Sequence, residues 1–305
     1  MCRSSGFMAD GFLSLGKRVL NYVCQEILPI SQRTSAIRIS PCSGYFVREE
    51  DEEIRRNLKI LCKGGGSSVV KTLLLHGPPG YGKHYSATNL MHTLHTRPIT
   101  NSFLSKTDQE KFKKIFLKKV PIKWTLDVTS KTTLFESYRS LAKEIGLTEE
   151  VKAAESEIEQ YRKTPEGRQQ QMNLQHHFQK DAYDQALKQI YEEVRKRLRE
   201  RSSWVLLVEG ATEKVAALRK FFPEPGDRGS GNGLVIITAE YPSILSFKDA
   251  DESTLQRVGI KKMNHKDAVN FLEKKTGIAV SGSDAKYAKD TATQMLGCNP
   301  QRIAK

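Results

Sequence analysis

The stretch TLLLHGPPGYGKHYSATNLM, residues 72–91, constrains the fold more than any other part of the sequence. Apart from Lys71 and Thr72, residues 69–76 are almost purely apolar, which is typical of a strand that is buried on both faces of a sheet. A glycine-rich turn follows, and a helical segment begins at Lys83. A strand, a glycine-rich turn and a helix in direct succession predict a loop whose backbone N–H groups and lysine hold phosphate groups.

The glycines let the backbone of this loop curl around an anion, and Lys83 supplies a positive charge for the β and γ phosphates. We therefore expect the loop to bind ADP or ATP. The alternative is a loop that has kept its shape after losing its ligand. The predicted contact residues are Gly77, Pro78, Pro79, Gly80, Tyr81, Gly82, Lys83, His84 and Tyr85.

His84 stands where loops of this kind carry a hydroxyl that binds Mg²⁺. Imidazole is a poor substitute, because Mg²⁺ prefers hard oxygen ligands in octahedral geometry. We expect weakened Mg²⁺ binding that affects ATP more than ADP, unless His84 rotates away and water completes the metal shell. Glu209 ends the apolar segment WVLLVE, where an acid is expected to hold the metal through water, and Gly210 follows it in place of a second acid. Glu209 is therefore a candidate catalytic acid, and the alternative is a strand-end carboxylate paired with a lysine.

Strands are predicted at 69–76, 123–130, 204–209 and 233–238, and helices lie between them. This alternation predicts an α/β fold of three layers with a mainly parallel sheet, followed by a small helical domain. The boundary is predicted near residue 255, and Asn264 is a predicted helix N-cap in the helical domain. The predicted segments are a helix and linker at 1–43, the phosphate-binding domain at 44–255 with a polar insertion at 148–180, and the start of the helical domain at 256–305. Three helices should bury one apolar face each, formed by Ile54, Leu58 and Leu61, by Leu134, Tyr138, Leu141 and Ile145, and by Leu187, Ile190, Val194 and Leu198.

The composition is that of a globular chain, with 38% apolar and 28% charged residues. The formal net charge of +14 indicates either an anionic partner or a basic fragment whose acidic neighbours lie elsewhere. Seven lysines fall within residues 106–123, where they predict a solvated basic face. The five cysteines are widely spaced and fit reduced thiols, and no apolar run reaches the ~20 residues that a transmembrane helix needs. We therefore expect a cytoplasmic protein.

The order of several motifs resembles the NB-ARC nucleotide-binding domain of the STAND class of P-loop ATPases, which includes apoptosome scaffolds and plant resistance proteins. The resemblance covers residues 44–305 and is carried by the segments YFVRE, LLLHGPPGYGKHYSATNL, IKWTLDVTSKTTLFESYRSLAKEIGL, WVLLVEGATE, GLVIITAEYPS, VGIKKMNHKDAVNFLEKKTG and MLGCNPQRIAK. It implies an ADP/ATP switch in signal transduction, as in innate immunity or apoptosis. The implied partners are further copies of the chain or effector and adaptor proteins, and nucleic acid is not expected.

The resemblance also implies that Arg48, Thr238 and Pro300 contact the nucleotide. Glu240 departs from the family pattern, because it replaces an arginine that would bind the γ-phosphate and its carboxylate would repel that group. Together with His84 and Gly210, this predicts weak or absent ATP hydrolysis. Two alternatives are an AAA+ ATPase that acts on DNA, which the positive charge would suit, and a pseudo-ATPase scaffold with an empty loop.

Overall fold

A computed structural model describes residues 48–63, 69–96, 122–164, 180–201, 203–228, 232–243 and 250–276, with positions 247, 290, 291 and 298. The chain divides into two compact units, one of residues 35–261 and one of residues 1–34 with 262–305. Three predicted features lie outside the described residues, namely the helix and linker at 1–43, most of the basic stretch at 106–123, and Pro300.

The larger unit is built on a parallel sheet of five strands in the order β2-β3-β4-β1-β5. The strands are β1 Lys71–His76, β2 Ile122–Asp127, β3 Ser203–Ala211, β4 Asn232–Ala239 and β5 Leu255–Gly259. Because all the strands are parallel, their carboxyl ends meet at one edge of the sheet, where open α/β folds bind their ligands. The strand that precedes the glycine-rich loop, β1, lies between β4 and β5.

The helices of this unit are α1 Glu49–Lys63, α2 Lys83–Thr96, α3 Lys131–Glu144, α4 Thr148–Lys163 and α5 Lys180–Arg199, and a 3₁₀ helix runs from Glu213 to Phe221. Alternate residues of the strands point to opposite faces of the sheet. Leu73 and Leu75 of β1 pack with α1 and α2, whereas Leu74 belongs to the core formed with α3, α4 and α5. The predicted three-layer α/β fold with a parallel sheet is confirmed.

The predicted apolar faces of α1, α3 and α5 are confirmed, since every residue named for them is buried. Ser130 caps α3 by accepting a hydrogen bond from the backbone N–H of Thr133, and a reciprocal bond from the Ser130 N–H to the Thr133 hydroxyl completes a capping box. In the smaller unit, helix α6 runs from His265 to Thr276. The predicted Asn264 cap is confirmed, because its Oδ1 accepts a hydrogen bond of 2.7 Å from the N–H of Asp267.

The structure differs from the sequence-based expectation at three elements. The polar insertion predicted over 148–180 begins with α4, which buries Val151, Ala154 and Ile158 at helical spacing. This buried face consists of a few small apolar residues among many charged ones, so its helical spacing was hard to recognise in the sequence. The strand β5 and the 3₁₀ helix were not predicted at all. The strand β5 is short, carries Gln256 and Arg257, and extends the sheet past the boundary predicted near residue 255.

Candidate nucleotide-phosphate site

The glycine-rich loop lies at the carboxyl end of β1 and runs directly into α2, as the sequence predicts. Gly80 and Gly82 have φ angles of 81° and 92°, which residues with a side chain rarely adopt. Position 77 has no room for a side chain, because a Cβ atom there would lie 2.3 Å from the carbonyl oxygen of Ile260, just after β5. The glycines therefore give the loop its curl and let it pack against the end of the sheet.

Lys83 is the first residue of α2, and its ammonium group donates hydrogen bonds to the loop's own carbonyls, at 2.5 Å to Gly77 and 2.9 Å to Pro78. Partial burial lowers the pKa of Lys83, and the negative charge of Glu240 opposes this shift by favouring the charged form. Glu240 is therefore close enough to act on the lysine through its charge. A bound phosphate would compete with the two carbonyls for the ammonium group.

Arg48 is buried at the amino end of α1 and ties this helix to the loop. Its guanidinium donates to the carbonyl oxygen of Tyr81 at 2.6 Å and to that of Lys261, and it pairs with Glu50 at 3.1 Å. Glu50 also accepts a hydrogen bond of 3.1 Å from the N–H of Lys261. Arg48 thus holds the backbone of the loop, whereas a contact of Arg48 with the nucleotide stays a prediction.

His84 and Glu209 contact each other directly through Nδ1 and Oε1. The imidazole comes from the first turn of α2 and the carboxylate from the end of β3, so the contact joins the loop to the neighbouring part of the sheet. The partner of Glu209 is a histidine, not the lysine considered as an alternative. The two side chains that were expected to hold a metal ion therefore contact each other. Tyr85 lies beside them with its ring exposed and edge-on to His84.

These residues do not fit Mg²⁺, because the expected hydroxyl is replaced by a nitrogen donor that is already bonded to the strand-end acid. Within the described part of the chain, no group of three or more histidine, cysteine, aspartate or glutamate side chains could hold a metal ion. None of the helices described there is long and apolar enough to cross a membrane.

Gly210 lies in an irregularity of β3, where the register with β4 shifts between Val208 and Ala211. Its φ angle is 83°, and a Cβ atom there would lie 2.7 Å from Cγ2 of Thr129. Thr129 is held in place, because its hydroxyl donates to Asp127 at 2.7 Å. A second acid would therefore not fit at Gly210 without rearrangement of the loop after β2.

Replacing Gly210 with alanine is expected to lower the free energy of unfolding by more than the same change at Gly146. Gly146 has a similar φ of 88° but nothing within 4 Å of the added Cβ, so it measures backbone strain alone, about 1–2 kcal/mol. The contact with Thr129 should add about 1–3 kcal/mol at Gly210. Urea unfolding of the two variants tests this, and equal losses would show that Thr129 moves aside freely.

The next strand of the sheet, β4, places Thr238 and Glu240 near the loop. Thr238 is buried, and its hydroxyl lies 3.4 Å from the carbonyl oxygen of Val208. The N–H of Gly77 donates to the carbonyls of Ala239 and Glu240 at 3.3 and 3.2 Å. The end of β4 therefore supports the first residue of the loop, and contact of Thr238 with a nucleotide stays a prediction.

Asp127 is a residue of this edge that the sequence-based prediction missed. It ends β2, directly beside Glu209 in the strand register, and its Oδ1 accepts hydrogen bonds from the N–H and hydroxyl of Thr129. An acid at the end of a predicted strand was the available signal, because carboxyl ends of parallel strands share one edge. The strand ends thus bring Asp127, Glu209 and Glu240 to the side of the sheet that carries the loop.

A glycine-rich loop and lysine between a central parallel strand and its following helix define the P-loop NTPase fold. Comparison with solved structures matches the chain to the Drosophila ORC bound to DNA, with a TM-score of 0.47 and 15% identity over 100% of this chain and 62% of that one. The ORC1 protein of Aeropyrum pernix in complex with DNA has a TM-score of 0.43 and 11% identity, over 87% of this chain and 60% of that one. A STAND protein with a tetratricopeptide repeat sensor from Pyrococcus horikoshii has a TM-score of 0.39 and 13% identity, over 90% of this chain and 30% of that one.

The chain therefore spans less than two thirds of the length of each of these structures. The sequence matches no protein-family model, and no curated protein matches it.

Proposed function

We propose that residues 35–261 form a nucleotide-binding domain that holds the phosphates of ADP or ATP in the loop 77–85, with weak or absent hydrolysis. The observation that carries the proposal is the loop itself. Three glycines shape it, Lys83 begins α2 at its end, and the whole unit stands at the carboxyl edge of a parallel sheet. Backbone N–H groups at a helix start, the helix dipole and a lysine together favour an anionic ligand.

Weak hydrolysis follows from three positions around the expected γ-phosphate. His84 is bonded to Glu209, so neither side chain is available to a Mg²⁺ ion without breaking their contact. Gly210 leaves no second acid after Glu209 to help activate a water molecule. Glu240 adds a negative charge close to Lys83, where the transferred phosphoryl group would need positive charge.

The resemblance of the ordered motifs to NB-ARC domains supports a more specific role as an ADP/ATP switch in a STAND-type signalling protein. In this proposal, ADP holds a closed form, and exchange for ATP allows self-association or recruitment of effector and adaptor proteins. Signalling in innate immunity or apoptosis is the corresponding cellular process. The predicted contacts of Thr238 and Pro300 with the nucleotide belong to this part of the proposal.

The direct test is calorimetric titration of ADP and ATP into the purified chain, combined with an assay of phosphate release. We expect both nucleotides to bind and phosphate release to be slow or undetectable. Binding of neither nucleotide would contradict the proposal and favour the pseudo-ATPase scaffold. Rapid turnover of ATP would contradict the part that concerns hydrolysis, because it would require a working metal site despite His84.

The formal net charge of +14 favours a second candidate, an AAA+ ATPase that acts on DNA. A basic chain binds DNA through phosphate contacts, and such binding weakens steeply as salt is raised. Fluorescence anisotropy with labelled duplex DNA at several salt concentrations separates the two candidates. Tight binding at physiological salt would favour the DNA-associated ATPase, whereas binding only at low salt would reflect general charge attraction.

A further inference from the structure

His84 and Glu209, the two residues expected beside the metal ion of a bound nucleotide, contact each other directly. His84 follows the loop lysine, and Glu209 lies near the carboxyl end of β3, the strand next but one to β1 in the sheet. Their side chains meet across the gap between α2 and β3. Gly210, the residue after Glu209, lies in an irregularity of β3, and the side chain of Thr129 packs beside it.

A Mg²⁺ ion could enter this gap only after the two side chains separate. It would then gain one nitrogen ligand and one carboxylate, whereas it prefers octahedral oxygen ligands and gives up its own waters reluctantly. Breaking an imidazole–carboxylate contact for such a ligand set is unfavourable. The site therefore disfavours the metal on the grounds of both geometry and ligand chemistry.

The positive charge that a nucleotide needs is still supplied by the loop. Lys83 lies within hydrogen-bonding distance of the loop carbonyls, and it is also the first residue of α2, whose amino end carries a partial positive charge. A diphosphate carries less negative charge than a triphosphate, so it depends less on a metal ion. The negative charge of Glu240 near Lys83 further disfavours a third phosphate.

We infer that the His84–Glu209 pair replaces the metal ion, and that the loop binds a metal-free nucleoside diphosphate. The inference rests on the proposed nucleotide-binding function and adds that magnesium plays no part in the binding. The pair stays closed while the nucleotide is bound. Lys83 and the backbone N–H groups then neutralise the phosphates without a divalent ion.

The test is a titration of ADP into the wild-type chain in millimolar MgCl₂ and in excess EDTA. The dissociation constants in the two buffers should agree within about twofold, a difference of less than 1 kcal/mol. A loss of about tenfold or more in EDTA would overturn the inference. Absence of ADP binding in both buffers would overturn the proposed function and the inference with it, so the two failures are distinguishable.

The variant His84→Ser restores the hydroxyl and releases Glu209, so it should acquire a dependence on magnesium. We expect ADP to bind to it about tenfold more tightly in MgCl₂ than in EDTA. The matched control is His84→Ala, which also breaks the pair but supplies no ligand and should gain much less from magnesium. Equal magnesium dependence in wild type and His84→Ser would contradict a metal-replacing role of the pair. The wild-type comparison decides the main question even if a variant folds poorly.

Discussion

Replacing Lys83 with alanine is expected to weaken ADP binding by about 100-fold. A hydrogen bond to a charged group contributes up to about 3 kcal/mol, and each 1.4 kcal/mol corresponds to a factor of about ten in affinity. Lys83 is placed to make such bonds, because its ammonium group already reaches the carbonyls of Gly77 and Pro78. Isothermal titration calorimetry of the wild-type chain and the variant gives the two dissociation constants.

The matched control is Lys188→Ala, which removes the same charge from an exposed position on α5, a helix that packs on the other face of the sheet from α2. This change should leave ADP binding within about twofold, because a single distant exposed charge is strongly screened. Urea unfolding of Lys83→Ala checks that the fold survives. Unchanged ADP affinity in a folded Lys83→Ala variant would show that the loop is not the binding site.

Replacing Arg48 with alanine is expected to lower the free energy of unfolding by about 3–5 kcal/mol, the usual cost of removing one partner of a buried ion pair. Arg48 is 6% exposed and pairs with Glu50 at 3.1 Å. Its loss leaves the carboxylate of Glu50 without the guanidinium and the carbonyls of Tyr81 and Lys261 without this donor. The loop should also become less ordered, so ADP binding should weaken as well.

The same helix offers a matched control in Arg55, which pairs with Glu52 at 2.9 Å while both side chains are nearly half exposed. Arg55→Ala should cost less than about 1 kcal/mol, because exposed ion pairs contribute little. Chemical denaturation of both variants, read by circular dichroism, gives the comparison. If Arg48→Ala cost no more than Arg55→Ala, Arg48 would not hold the loop in the way the structure indicates.

Much of the fold could be predicted from local patterns. The strand before the loop, the helix that begins at Lys83 and the buried face of α5 all follow from the spacing of apolar residues along the chain. The strand β5 could not be predicted in this way, because a short segment with two polar residues becomes a strand only through pairing with β1. The helix α4 was missed because its buried face contains only Ala154 and a few other apolar residues. This small face is buried by packing against α5, which the sequence pattern does not show.

In the candidate site too, the sequence predicted some features, and others depend on tertiary contacts. The sequence identified the glycines, Lys83, His84 and Glu209 one by one, since each has a recognisable position in a motif. It could not show that His84 and Glu209 contact each other, because 125 residues separate them along the chain. Nor could it show that Arg48 bonds to backbone carbonyls of the loop and of Lys261.

The sequence by itself determined the α/β class, the glycine-rich loop with Lys83, and which residues stand at positions 84, 210 and 240, because each depends on residue type and local spacing. The tertiary structure alone decided which contacts are made at these positions. Parallel strands bring their carboxyl ends to one edge, and there the imidazole of His84 meets the carboxylate of Glu209 while Thr129 fills the space beside Gly210. These contacts depend on the relative positions of strands that are distant in the chain, and only the folded sheet sets those positions.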